Sequence, residues 1–397
     1  HLELRRTETG EYIDPMPYFK HLLKDSKAPV GSLIGIYPIQ GKGVVNGSSH
    51  KKLLAIGNLK QPVHAWGEIY TGISAKDYMD GTSNFYGVHS VTLYVDSVQV
   101  FNSTTDKVLP DENRMINGFT DYEELTRTRR LIMRSYKLPG NRLRLLHTNE
   151  NRGAVTIDEE RDYHFRYVLE DNFGNRRTYQ FIVKGKRQDI PEYKPEANEM
   201  LYWNQANVIQ KPGMELVVPR YYVYEDVPLR TDMRGDSSRI AFDYILDAGR
   251  TPIHSYCDLS IGLRHMPVAD TTKYYIVQKA GKWRSSMGGK YASGWIKTRV
   301  RSLGTFSVDV DTIAPQITPI GQGGWRTSRN IRFRIKDMES GIGSYKVYID
   351  GKFVLFGLKK GILVIQDPEK VKKGVPHKLE VTVTDQCGNM ARKEYKF

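Results

Sequence analysis

The chain has 397 residues, with 59 Lys+Arg against 45 Asp+Glu, a formal net charge of +14 and an isoelectric point near 9.4. That length exceeds one ordinary hydrophobic core and predicts two to four domains. No run of eighteen apolar residues occurs, which excludes a transmembrane helix. Tyrosine (25) outnumbers phenylalanine (13), glycine is frequent (35), and few windows hold a 3.6-residue apolar period, so the fold class expected is all-β.

The chain opens HLELRRTETGEYIDPMPYFK. Read as a strand, the first five residues put His1, Glu3 and Arg5 on one face and Leu2 and Leu4 on the other, with the leucines toward a core. Thr-Glu-Thr-Gly then signals a turn. Asp14 before Pro15 marks a helix start, the carboxylate capping and the proline in the first turn. The helix expected is PMPYFKHLLK, with Met16, Phe19, Leu22 and Leu23 on one side.

Leu2-Glu3-Leu4-Arg5, followed at this separation by Asp14-Pro15-Met16-Pro17-Tyr18-Phe19, resembles the final strand and exit helix of the lysostaphin-like zinc metallopeptidases. These enzymes cleave peptide cross-links in bacterial cell walls. The resemblance implies that residues 1–25 are the C-terminal remnant of a zinc peptidase domain, and that His1 is the second histidine of a His-x-His pair that ligates zinc. Catalytic zinc needs three protein ligands and an open position, where it lowers the pKa of bound water and polarises the scissile carbonyl. His1 alone cannot hold it. The expectation is a longer parent that is a zinc metalloendopeptidase, and a present chain that holds no zinc stably and is inactive. His21…Asp25 and His254…Asp258 fit the family's His-x-x-x-Asp pattern, but in the wrong order, and are read as chance matches. A rival chemistry treats His1 as a free N-terminus whose ring and amine chelate copper, as in polysaccharide monooxygenases, with His50, His64 or His89 as the second histidine.

Further along, the chain repeats itself. GVHSVTLYVDSVQVF (87–101) parallels GIGSYKVYIDGKFVLF (341–356), each an alternating strand, a bend at Asp-Ser or Asp-Gly, and a second strand. HFRYVLEDNFGNRRTYQF (164–181) parallels HKLEVTVTDQCGNMARKEYKF (377–397), each with Asp-x-x-Gly-Asn between strands. In these turns Gly174 and Gly388 suit positive φ, Asn175 and Asn389 tolerate it, and Asp171 and Asp385 can accept backbone amides. One aspartate and one asparagine are too few oxygen ligands for calcium, so a structural turn is expected.

The modules predicted are residues 1–25 as the peptidase remnant, 26–190 as an immunoglobulin-like sandwich with an insertion at about 102–144, 191–311 as a middle sandwich, and 312–397 as a second immunoglobulin-like sandwich begun by DTIAP. The insertion carries Asp111-Glu112-x-Arg114-x-Ile116-Asn117 and Asp121-Tyr122, similar to segments that follow the catalytic domain in Bacteroidetes-type wall peptidases. It is expected to pack on its neighbours rather than serve as a ligand surface. KGKRQDIPEYKPEA (184–197) reads as a linker. In the middle module Trp283, Tyr291 and Trp295 could stack on sugars, but core packing is the reading preferred.

The positive charge favours anionic partners. Nucleic acid is not expected, because Arg127, Arg129, Arg130 and Arg134 lie in a different segment from Lys370, Lys372 and Lys373. Cys257 and Cys387 alone establish neither a disulfide nor a metal cage. The function expected is the accessory region of a secreted or periplasmic endopeptidase, with β modules that position the catalytic domain on peptidoglycan or against envelope proteins. The alternative is a non-catalytic envelope protein that binds glycan or protein.

Overall fold

The computed structural model describes residues 2–236 and 238–397. His1, the expected zinc or copper ligand, lies outside the described residues. The protein is all-β and built of several sheets, and its longest described helix, Tyr122–Thr128, has seven residues. No described helix is long and apolar enough to cross a membrane. Two compact units form: residues 1–206 with 219–228 and 249–255, and residues 207–218 with 229–248 and 256–397.

In the first unit two sixteen-residue strands, Val30–Val45 and Val63–Tyr78, run antiparallel. The hairpin Ser90–Val95/Val98–Thr104 turns at Asp96 and Ser97, both at positive φ, the geometry that matches strand twist. Its first strand pairs with Asp162–Glu170, which pairs with Arg176–Gly185. Strict alternation buries Tyr163, Phe165, Tyr167 and Leu169 along Asp162–Glu170, against Ile34, Ile36, Leu93 and Phe101. Burying each such side chain contributes about 1.5–3 kcal/mol. All these strands belong to one eleven-stranded sheet.

The insertion packs inward, with Met115, Phe119, Leu138 and Leu143 in the same core. Asp121 caps its helix by accepting from the Glu124 amide, and also meets Lys51 Nζ at 2.7 Å. Arg144 clamps Glu112 and Glu11, at 2.7 and 2.8 Å.

The second unit holds two kinds of module. In its first part Asn207–Lys211, Met214–Val218, Cys257–Gly262, Trp295–Val300 and Lys290–Ala292 form one sheet, and Asp243–Asp247, Gly304–Val310, Tyr274–Ala280 and Trp283–Ser286 are neighbours in another. Cys257 and Cys387 are buried and not joined in a disulfide, and burial pushes their thiols up to about 12 and about 11. The C-terminal part has two four-stranded sheets around Trp325, Phe333 and Leu363. One of them repeats the first unit's arrangement: Lys352–Phe353, Ile342–Ile349, Lys378–Asp385 and Met390–Lys396 in order, turning at Asp350 and Gly351 with positive φ.

The N-terminal segment departs from expectation. Its strand is only Leu4–Arg5, paired with Tyr12–Ile13, in a sheet of three two-residue strands. Leu2, placed in a core by alternation, is 56% exposed, because so short a sheet offers no second layer to receive it. The helix spans only Met16–Phe19, then a 3₁₀ turn Lys20–Leu22, and Leu22 and Leu23 are exposed. Asp14 does accept from the Met16 amide, at 2.9 Å.

Candidate functional site

Within the first unit a cavity of about 670 Å³ opens beside the N-terminal segment, lined by Leu2, Ile13, Met16, Val88, Val108 and Phe173 on its apolar side. Asp14 and His89 also line it, with Nδ1 3.6 Å from Oδ2, an ion-pair distance longer than a hydrogen bond. The Asp14 carboxylate holds the His89 imidazole above its ordinary range. Burial opposes ionisation of Asp14, but His89 and the Met16 amide hold it below the usual carboxylate range.

The described residues do not fit catalytic zinc. Among the described residues no histidine joins a group of three potential metal ligands. His89 faces Asp14, and His254 meets Tyr224 Oη at 3.1 Å through Nδ1. His21, His50 and His64 likewise join no such group.

Two carboxylate trios do gather, each with one oxygen per residue within 4.8 Å of the others: Asp25, Asp77 and Asp171 in the first unit, and Asp311, Asp337 and Asp385 in the second. They are equivalent members of the repeat. Asp171 Oδ1 accepts from the Phe173 and Asn175 amides, as Asp385 Oδ1 does from Cys387 and Asn389. Asn175 Nδ2 ties Asp171 Oδ2 to the Asp25 carbonyl, and Asn389 Nδ2 ties Asp385 Oδ2 to the Asp311 carbonyl. Gly174 and Gly388 take positive φ as expected, whereas Asn175 and Asn389 do not. The asparagines act through their amides instead. The turn alone supplies too few oxygens, but two further aspartates reach it: in the first unit Asp77 from the end of Val63–Tyr78 and Asp25 from the segment before Val30–Val45. A sequence signal for them exists: Asp25-Ser-Lys-Ala-Pro29 matches Asp311-Thr-Ile-Ala-Pro315, and Ala75-Lys-Asp77 matches Ile335-Lys-Asp337.

The second unit carries an aromatic and basic ribbon. Trp283–Ser286 is an edge strand, and the chain turns through Met287–Gly289 into Lys290–Ala292 and then Trp295–Val300. Met287 secures the turn, donating to the Ile276 carbonyl and accepting from Thr298 Oγ1. Core packing was expected for the aromatics here. Trp283 is instead 81% exposed and Tyr291 is exposed, while Trp295 is half-buried over Gly262. The reason is position: an edge strand has one face and one side without a neighbour, so its first residue stays in solvent. Lys282, Arg284, Lys290, Lys297 and Arg299 are exposed on the same ribbon, and Arg301 lies 4.5 Å from the exposed Tyr256 ring.

The fold is thus that of an all-β protein of tandem modules. Residues 198–311 match the family described as the Zu5-like domain. No curated protein matches the chain. Among solved structures it aligns with a Ca2+-stabilised adhesin by which an Antarctic bacterium binds ice, at 10% identity over 90% of this chain and 98% of that one, with a TM-score of 0.16. It also aligns with SGBP-B of the Bacteroides ovatus mixed-linkage glucan utilisation locus, at 10% identity over 82% and 62%, with a TM-score of 0.14. Superpositions at these scores carry no argument about function.

Proposed function

We propose that this chain is a non-catalytic binding region of the cell envelope that holds an anionic glycan on the ribbon 282–301. The observation that carries the reading is Trp283, left 81% exposed on an edge strand between Lys282 and Arg284. An indole in water forgoes the stabilisation that burial would bring, and its flat apolar body with one polar handle suits a contact surface. Its flat apolar face suits a sugar ring, and the neighbouring Lys282 suits carboxylates or phosphates on the same polymer, Arg284 being paired with Asp309. The net charge of +14 adds a longer-range attraction that salt screens. The test is sedimentation with insoluble peptidoglycan over a salt series. Wild type is expected in the pellet at low salt and released as salt rises, and Trp283→Ala is expected to be released several-fold more readily. Equal retention of the two would remove the ribbon as the contact.

A second reading makes this region the C-terminal accessory part of a zinc metalloendopeptidase acting on peptidoglycan. It is supported by Leu2–Arg5 and Asp14–Phe19, whose short strand, turn and helix follow one another in the order of that family. Its test is a chain extended upstream of His1. That longer chain is expected to acquire zinc and cleave purified wall peptides, whereas the present chain is not.

A further inference from the structure

We propose that Asp25, Asp77 and Asp171 form a calcium site that fastens the segment leading into the first unit's large sheet to its strand ends, and that the equivalent trio Asp311, Asp337 and Asp385 is not one. The inference is independent of glycan binding. Three carboxylates offer only oxygen, the donor set that hard cations prefer. Their 4.8 Å spread is one that ligands at calcium distances, about 2.3–2.6 Å from the ion, can span.

The distinguishing fact is unmet hydrogen-bonding capacity. Asp77 is only 8% exposed, yet its Oδ1 is buried with no hydrogen-bond partner, and so is Asp25 Oδ2. A buried polar atom left unsatisfied costs about 1–3 kcal/mol, more when charged. In the second trio the matching atoms are filled. Asp337 Oδ1 accepts from the Glu339 and Gly341 amides, and Asp311 Oδ2 accepts from both the amide and the hydroxyl of Ser340. Three residues beyond Asp77, where the second copy has Ser340, the first has Asp80, which cannot donate when ionised and instead accepts from Ser26 Oγ.

The surrounding charges leave the trio unneutralised. Lys20 and Lys27 direct their ammonium groups to the carbonyls of Asn172 and Met79. Asp14, His89, Asp106 and Lys107 line the same cavity as Asp25 and Asp77, with His89 turned toward Asp14. Burial first, then the Asp171 and Asp25 charges, push the Asp77 carboxyl up to about 6.

The test uses the full chain, stripped with EDTA, dialysed and titrated with CaCl2 by calorimetry near neutral pH. One binding event is expected. Calcium should also raise the melting temperature. Asp77→Asn should abolish both responses while melting no lower than calcium-free wild type, since it removes a repelled charge. Asp337→Asn should leave calcium binding intact. No heat and no melting shift at millimolar CaCl2 would overturn the proposal. So would a calcium response that survives in Asp77→Asn or is lost in Asp337→Asn.

Discussion

In the C-terminal part Ser340 gives Asp311 two hydrogen bonds through one residue, whereas the first unit has Asp80 at that place and leaves Asp25 Oδ2 without a donor. The two regions share the Asp-x-x-Gly-Asn turn, the asparagine tie and the spacing of all three carboxylates. They differ in what approaches the trio from the adjoining loop. A short loop, Met338 to Gly341, wraps Asp337 and Asp311 with amides. The first copy instead runs on through Asp80 to the small strand Phe85–Tyr86. The comparison teaches that a buried acidic group is a structural knot or an ion site according to its donors, not its acids.

The contrast can be broken most directly at its firmest point. Asp311→Ala strands the Ser340 amide and hydroxyl in a fully buried setting and also frees the part-buried Ile313 amide, and should destabilise the second unit by about 3 kcal/mol in denaturant unfolding. Asp25→Ala strands only the Lys27 amide and removes a repelled charge, so it should cost less than about 1 kcal/mol without calcium. Equal losses would erase the difference drawn between the trios.

Asp80→Ser transplants the donor from one copy to the other. It should raise calcium-free stability by about 1 kcal/mol and remove the calcium-induced melting shift. The pH response is smaller. Because the folded chain holds the Asp77 proton up to about 6, it binds more protons there than the unfolded chain does. Asp77 therefore favours folding below about pH 4, and that contribution is lost as pH rises through about 6. The difference between wild type and Asp77→Asn across this window isolates it from carboxylates of opposite sign, such as Asp121 and Glu112, which are held low despite their burial by Lys51 and Arg144. The smallest effect belongs to the ribbon. Trp283→Ala should change stability by less than about 0.5 kcal/mol, as an exposed side chain does, while fully buried Trp325→Ala costs about 3–5.

Local chemistry was readable from the sequence by itself. Alternation in Tyr163 to Leu169 declared a half-buried strand, Asp96-Ser97 and Asp350-Gly351 declared hairpin bends, and Asp-x-x-Gly-Asn declared its own turn. Each of these rests on dihedral preference and hydrogen bonds within four residues, which neighbouring side chains settle among themselves. The repeat was legible for the same reason in its later strands, whereas Asp25 to Asp77 is matched to Asp311 to Asp337 only by the short pieces Asp-x-x-Ala-Pro and Lys-Asp. Tertiary structure alone decided the rest: that Leu2 has no layer to enter, that Trp283 ends on an open edge, and that Asp25, Asp77 and Asp171 meet. Those outcomes depend on which distant segments pair and on whether a donor arrives with them. Burial and satisfaction of a polar atom are properties of the assembled neighbourhood, and no stretch of chain carries that neighbourhood within itself.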